Sequence, residues 1–290
     1  MSLRFTPLHQ SFVAEVSGVD LRRVFDEPTL AALRDGMDRY GVLVFRRQPL
    51  TDAEQLDFAR RWDGTLHTKT GISALTASRL GNEALTDISN VDENGDPLDS
   101  ADRRRIYGLA NQLWHTDASF ENPPGRYSLL SARVIPPVRA DTEFADMRAA
   151  WEALPADEQA RLRPLTAHHS IAYSREVLGF SFSSEERERL HGNPQPLVRY
   201  CEKTGRRALY LASHASHIVD MPVAEGRLLL RDLMTYATAP QFCYAHTWDN
   251  EDLVIWDNRS TMHRARPFND KQYRRELRRV TTLDIAPSFA

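Results

Sequence analysis

His115 and Asp117 stand two residues apart in Trp114-His115-Thr116-Asp117, which puts an imidazole and a carboxylate within reach of one ion. Written as a strand, that stretch sends both side chains to the same face, roughly 6–7 Å apart. Two ligands do not hold a metal, and an H-x-D pattern by itself is as readily a solvated loop. A third ligand has to come from elsewhere. The far end of the chain offers His263, which follows Trp256-Asp257-Asn258-Arg259 and precedes the arginine run Arg274-Arg275-Glu276-Leu277-Arg278-Arg279. Two histidines and one carboxylate on one face of an octahedron leave three positions open, the arrangement by which non-haem iron(II) oxygenases take up a cosubstrate together with oxygen. The arginines have a matching use. 2-Oxoglutarate chelates iron through its keto acid end and leaves a second carboxylate to be buried, for which a planar guanidinium is a bidentate partner.

Other patterns support less. His214 and His217, in His214-Ala215-Ser216-His217, have no third ligand beside them, so a substrate-side or hydrogen-bonded structural role fits them better than a second metal. His168 and His169 are adjacent, which on a strand turns them to opposite faces. The basic run at 274–279 is interrupted by Glu276, and the net charge is −3, so a nucleic-acid surface is not expected. No HExxH pattern provides the base of a zinc hydrolase. Trp248 and Trp256 read as core residues.

The chain that must position these groups has 290 residues, 41% of them hydrophobic and 27% charged, the mixture of a folded soluble domain. Cys201 and Cys243 form no CxxC pair, so neither a disulfide framework nor a structural zinc is expected, and a cytoplasmic location fits. No run of about 18 apolar residues offers a membrane span, and no signal-peptide pattern opens the chain. No repeat or linker divides the sequence, so it reads as one domain over residues 1–290. The sequence leaves a homo-oligomer open.

Pro28, with Leu30, Leu33, Met37 and Tyr40 at helical spacing, predicts a helix that stops at Gly41. Val42 to Phe45 then reads as a buried strand, and the Thr51-x-x-Glu54 capping box starts a helix to about Trp62. Residues 64–105 lose periodicity at Gly71, Gly81, Asn94-Gly95 and Pro97 and read as a long irregular excursion near the site. Strands are expected at Arg126–Ile135, Thr142–Ala145, Ala208–Ala212, Gln241–Trp248, Leu253–Trp256 and Arg275–Leu283, with helices at Asp146–Leu154 and Pro222–Ala237. Strands interleaved with helices, without a Gly-rich phosphate loop, indicate a mainly β, mostly antiparallel sandwich with flanking helices.

The segments ANQLWHTDASF, RYSLLSARVIPP, DTEFADMRAAWEALP, HASH, PVAEGRLLL, DLVIWDNR and RRELRRVTTLD together resemble the taurine dioxygenase superfamily, over essentially the whole chain. Within it the chain is most similar to the 2-oxoglutarate-dependent 2,4-dichlorophenoxyacetate dioxygenases. The resemblance implies a double-stranded β-helix, or jelly roll, with iron(II) held by His115, Asp117 and His263, and with Thr142 and an arginine gripping the distal carboxylate of 2-oxoglutarate. Matching RRELRRVTT letter by letter selects Arg275 for that carboxylate and Arg279 for a substrate anion. Counting from His263 selects Arg274 instead. Strand parity favours Arg275 and Arg279, which share a face opposite Arg274 and Arg278. The resemblance also places Asn111 near 2-oxoglutarate or substrate and Lys69 on the substrate side, where His214, from its own segment, is a further candidate.

The implied reaction consumes oxygen and 2-oxoglutarate, with ascorbate as reductant in vitro, and hydroxylates the carbon between the carboxylate and ether oxygen of an aryloxyacetate. The hemiacetal collapses to a phenol and glyoxylate, while 2-oxoglutarate becomes succinate and carbon dioxide. The substrate is then a small aromatic carboxylic acid. A taurine-like sulfonate or another small acid is the alternative, and a metal-binding jelly-roll sensor without turnover is a third reading.

Overall fold

The computed structural model describes residues 3–23, 26–68 and 79–289. Its largest sheet has seven strands, in the spatial order Arg4–Pro7, Val13–Ser17, Val42–Phe45, Leu253–Asp257, Gly125–Val134, Glu276–Leu283 and Thr86–Ser89. Every pairing is antiparallel except Val13–Ser17 against Val42–Phe45. A second sheet has three antiparallel strands, Cys243–His246, Thr142–Asp146 and Thr261–Ala265.

The central strands of the large sheet are apolar without alternation because both faces are covered. Val42, Val44, Val254, Trp256, Leu130 and Ala132 pack on one side with Phe144 of the second sheet, which makes the interior of the sandwich. Leu43, Phe45, Leu253, Ile255 and Leu129 point the other way, onto Leu30, Leu33, Met37, Leu56 and Phe58 of two helices. A third core lies behind the second sheet. There Ala145 and Met262 meet Ala150, Trp151, Leu230 and Leu233 from the helices Met147–Glu152 and Val223–Ala237.

The helix ends follow from their cap residues. Asp26 accepts a bond from the Thr29 amide at the start of Glu27–Tyr40, and Gly41 ends that helix at φ +85°, a conformation glycine enters without steric penalty. Thr51 and Glu54 form both bonds of the capping box that opens Asp52–Ala59, and that helix ends three residues short of the expected Trp62. The 64–105 excursion is less irregular than the sequence suggests: Thr86–Ser89 is an edge strand paired with Glu276–Arg279, and Arg103–Gly108 is a helix. A four-residue polar edge strand carries no apolar alternation to announce it. Among the described residues, no helix is long and apolar enough to cross a membrane.

Candidate metal centre and its cavity

The expected strand at His115–Asp117 is not what brings these side chains together. His115 forms a single antiparallel bridge with His263, each amide donating to the other's carbonyl at 3.0 and 2.9 Å, and Asp117 lies in the turn that follows. Ala118 holds that turn with φ at +50°. Backbone pairing between two distant segments therefore sets the two imidazoles side by side, tilted by 48° with their centroids 4.2 Å apart. One ligand atom from each of His115, Asp117 and His263 falls within 4.8 Å of the others, and all three residues are buried.

Each ligand is prepared by its neighbours. His115 Nδ1 lies 2.8 Å from the Leu113 carbonyl, which can only accept, so that nitrogen carries the proton and Nε2 keeps its lone pair. Ser128 Oγ donates to Asp117 Oδ2 at 2.7 Å, and Asn258 Nδ2 donates in turn to Ser128 Oγ at 3.0 Å. Asn258 Oδ1 accepts from the Asp117 amide at 3.1 Å, so one asparagine fixes both the backbone and the carboxylate of Asp117. The other oxygen, Oδ1, accepts from Arg279 Nη1 at 2.5 Å. The remaining lone pairs face the imidazoles, with His115 Nε2 at 3.6 Å from Oδ1 and His263 Nε2 at 3.7 Å from Oδ2.

The protonation states suit a metal. Burial lowers His115 to about 4, with the positive charges of Arg175 and Arg279 adding to the effect. Burial and the His115 ring hold His263 well below its ordinary value. Burial alone would raise Asp117, but Arg279, the two imidazoles and the Ser128 hydroxyl outweigh it and hold the carboxyl below the usual carboxylate range. Two neutral imidazoles and one carboxylate, without a buried proton to displace, form a donor set that accepts a divalent ion.

The centre opens into a cavity of ≈ 480 Å³. Arg275, Arg279 and Thr281 line it from one strand face, while Arg274, Glu276 and Arg278 point away and form ion pairs with each other. Arg275 and Arg279 thus share the face that strand parity predicts, and Arg274 is outside the cavity. Arg275 is buried with no partner for Nε, and burial pushes it down to about 10 despite the nearby Asp141 carboxylate. Thr142 is not in the lining. It lies opposite Ala265, and its hydroxyl accepts a 3.0 Å bond from Trp248 Nε1, which leaves its proton to donate.

Asn111 and His214 line the cavity, and Phe120, Ile171, Leu109, Val91 and Phe268 give it apolar walls. His214 is engaged at both nitrogens, by Ser119 Oγ at 3.2 Å and Arg175 Nη1 at 3.1 Å. Lys69 lies outside the described residues. Ser128, Asn258 and Arg175 carry roles that no sequence motif assigned to them. Asn258 stands in the Asp257-Asn258 pair that closes a fully apolar strand, a polar intrusion that marked it for a buried role, whereas Arg175 had no such signal.

The family model described as taurine catabolism dioxygenase TauD, TfdA family matches residues 4–281. The alpha-ketoglutarate-dependent 2,4-dichlorophenoxyacetate dioxygenase of Cupriavidus pinatubonensis (strain JMP 134 / LMG 1197) is 45% identical over 99% of each chain. The (S)-phenoxypropionate/alpha-ketoglutarate-dioxygenase of Sphingobium herbicidovorans is 35% identical over 92% of this chain and 91% of that one. Among solved structures, AAD-2 in complex with Mn(II) and N-oxalylglycine superposes with a TM-score of 0.95 at 42% identity, covering 99% of this chain and 100% of that one. With that match in sequence and in jelly-roll fold, the chain belongs to the TauD, TfdA family of dioxygenases.

Proposed function

We propose that this chain is an iron(II)- and 2-oxoglutarate-dependent dioxygenase that hydroxylates the carbon between the carboxylate and the ether oxygen of an aryloxyacetate such as 2,4-dichlorophenoxyacetate. The observation that carries the reading is one cavity lined by His115 and Asp117, with His263 grouped beside them, by the guanidiniums of Arg275 and Arg279, and by an apolar wall that includes Phe120 and Ile171. An aromatic ring bearing a carboxylate requires both the cations and the wall.

In this reading His115, Asp117 and His263 hold the iron(II), each offering an unprotonated donor. Arg275 takes the distal carboxylate of 2-oxoglutarate, assisted by the Thr142 hydroxyl, and Asn111 borders the same space. Arg279 bridges Asp117 to the substrate anion. When bound, iron(II) with 2-oxoglutarate and oxygen supplies the oxidation that converts C–H to C–OH, with 2-oxoglutarate ending as succinate and carbon dioxide. The protein's own contribution is position: the arginines fix the carboxylate ends, and the aromatic wall keeps the ring dry and the reacting carbon toward the metal. The hydroxylated carbon is a hemiacetal, which expels a phenol and leaves glyoxylate. The reading takes residues 1–290 as one catalytic domain acting in the cytoplasm, with Cys201 and Cys243 as free thiols.

The test is phenol release from 2,4-dichlorophenoxyacetate in the presence of iron(II), ascorbate, oxygen and 2-oxoglutarate. Phenol formation that needs iron(II), oxygen and 2-oxoglutarate together is expected. Succinate without phenol removes the aryloxyacetate from the reading, and sulfite release from taurine in the same assay moves the substrate to the sulfonates.

A further inference from the structure

Arg175 also lines the cavity, and its surroundings differ from those of Arg79, Arg104, Arg105 and Arg266 in the same lining, each of which meets a carboxylate. It stands in the helix Ile171–Glu176, is 5% exposed, and forms no ion pair with a carboxylate among the described residues, Asp117 acting on it only at longer range. Its Nη1 donates to Ser174 Oγ at 2.9 Å and to His214 Nε2 at 3.1 Å, its plane lies over the Tyr107 ring at 4.6 Å, and Nε is unpartnered. In the reading above Arg279 shares its charge between Asp117 and the substrate anion and Arg275 goes to 2-oxoglutarate, which leaves Arg175 as a second cation for the substrate. A buried cation without an anion is costly, and a cavity that keeps one is built to receive a negative ligand.

The hydrogen bonds around Arg175 have only one consistent direction. A guanidinium cannot accept, so His214 Nε2 must, which puts the His214 proton on Nδ1. That proton is donated to Ser119 Oγ at 3.2 Å, and the Ser119 hydroxyl donates onward to His169 Nδ1 at 2.9 Å. His169 is buried with its ring stacked on Tyr210 at 5.6 Å, which anchors the end of the chain. The three neutral groups aim Arg175 without neutralising it, where a carboxylate in place of His214 would have used up its charge.

We propose that Arg175 is a specificity-determining residue that binds the carboxylate of the aryloxyacetate alongside Arg279, and that His214, Ser119 and His169 are positioning residues that orient it. The proposal rests on the substrate reading above. It gives His214 a role at one remove from the substrate, since both of its nitrogens are engaged within the protein.

The experiment compares wild type with Arg175→Met, Arg175→Lys, His214→Phe and His214→Gln. Three quantities are read: anaerobic 2-oxoglutarate binding to the iron(II) protein, followed by its visible charge-transfer band; KM for 2,4-dichlorophenoxyacetate; and inhibition by the uncharged 2-(2,4-dichlorophenoxy)ethanol. Arg175→Met is expected to raise KM for the carboxylate by about 30-fold or more, the loss typical of removing one partner of a buried charge pair. 2-Oxoglutarate affinity and inhibition by the alcohol should stay within about twofold. Arg175→Lys and His214→Gln, which keep a cation and an acceptor, should recover part of the loss, and His214→Phe should not. An unchanged KM, or equal loss for acid and alcohol, overturns the Arg175 assignment. Wild-type protein that neither binds nor turns over any aryloxyacetate overturns the substrate reading and with it the ligand named for Arg175.

Discussion

Replacing Arg275 by methionine should strengthen the folded apoprotein while crippling its use of 2-oxoglutarate. In the fold the guanidinium falls from an ordinary 12.5 to about 10 because burial strips its hydration. A base whose value is depressed by folding is destabilised in its charged form. At pH 7 it is charged in both the folded and unfolded states, so the penalty is present in full. At about 1.4 kcal/mol per tenfold change in the equilibrium, the charge costs the apoprotein roughly 3 kcal/mol. Methionine fills much of the same volume without a charge, and losses in packing and polar contact offset part of the gain. A net stabilisation of roughly 1–2 kcal/mol corresponds to a rise of about 2–5 °C in Tm for a chain of this size.

The same charge is an asset once a carboxylate arrives. Removing one partner of a buried charge pair weakens binding by about 2–5 kcal/mol, or from roughly 30-fold to a few thousand-fold. Thermal unfolding of apoprotein, followed by circular dichroism, reads the first effect. Anaerobic titration of the iron(II) protein with 2-oxoglutarate reads the second. Opposite signs are the signature of a site held ready for an anion. A variant that melts lower and binds 2-oxoglutarate as well as wild type would refute the reasoning, because it would make Arg275 a structural residue.

Two further outcomes follow from the geometry. At Gly125 an added Cβ would come within 2.3 Å of the Asp117 carbonyl oxygen, a backbone atom that cannot move aside alone. Gly125→Ala should therefore displace the Asp117 turn and weaken Mn(II) binding by at least about 10-fold with the sheet intact, and an unchanged Mn(II) titration counts against that turn being metal-bearing. His169 is lowered from 6.5 to about 3 by burial, so the unfolded chain binds its proton first and the fold loses stability as pH falls below 6.5. At pH 5 that term removes roughly 2 kcal/mol, so His169→Gln should lose less stability than wild type between pH 7 and pH 5 in urea titrations.

What could be read in the sequence was whatever a short stretch determines by itself. Val42–Phe45 and Leu253–Asp257 are apolar on both faces and belong to a covered sheet, and Thr51 with Glu54 defines a helix start. The arginine register was legible for the same reason. Parity is a local property of a strand, and the bulge opposite Glu276 and Leu277 inserts its extra residue in the partner strand, so Arg275 and Arg279 keep a common face. Thr86–Ser89 was not legible, because a short polar edge strand takes its conformation from the strand beside it.

Arg175 shows where local reading stops. Its neighbours in sequence, Ser174 and Glu176, describe an ordinary amphipathic helix, and an arginine there reads as solvated. It packs against Tyr107 and His214, and His214 is held in turn by Ser119 and, through it, by His169, all of them outside the helix that carries Arg175. The H-x-D motif has the same character in milder form: the residue types were visible, yet their geometry comes from the bridge between His115 and His263. A metal ligand can be recognised by its chemistry wherever it lies. A buried cation can be recognised only by what fails to accompany it, and that becomes visible only when the fold shows which carboxylates are out of reach.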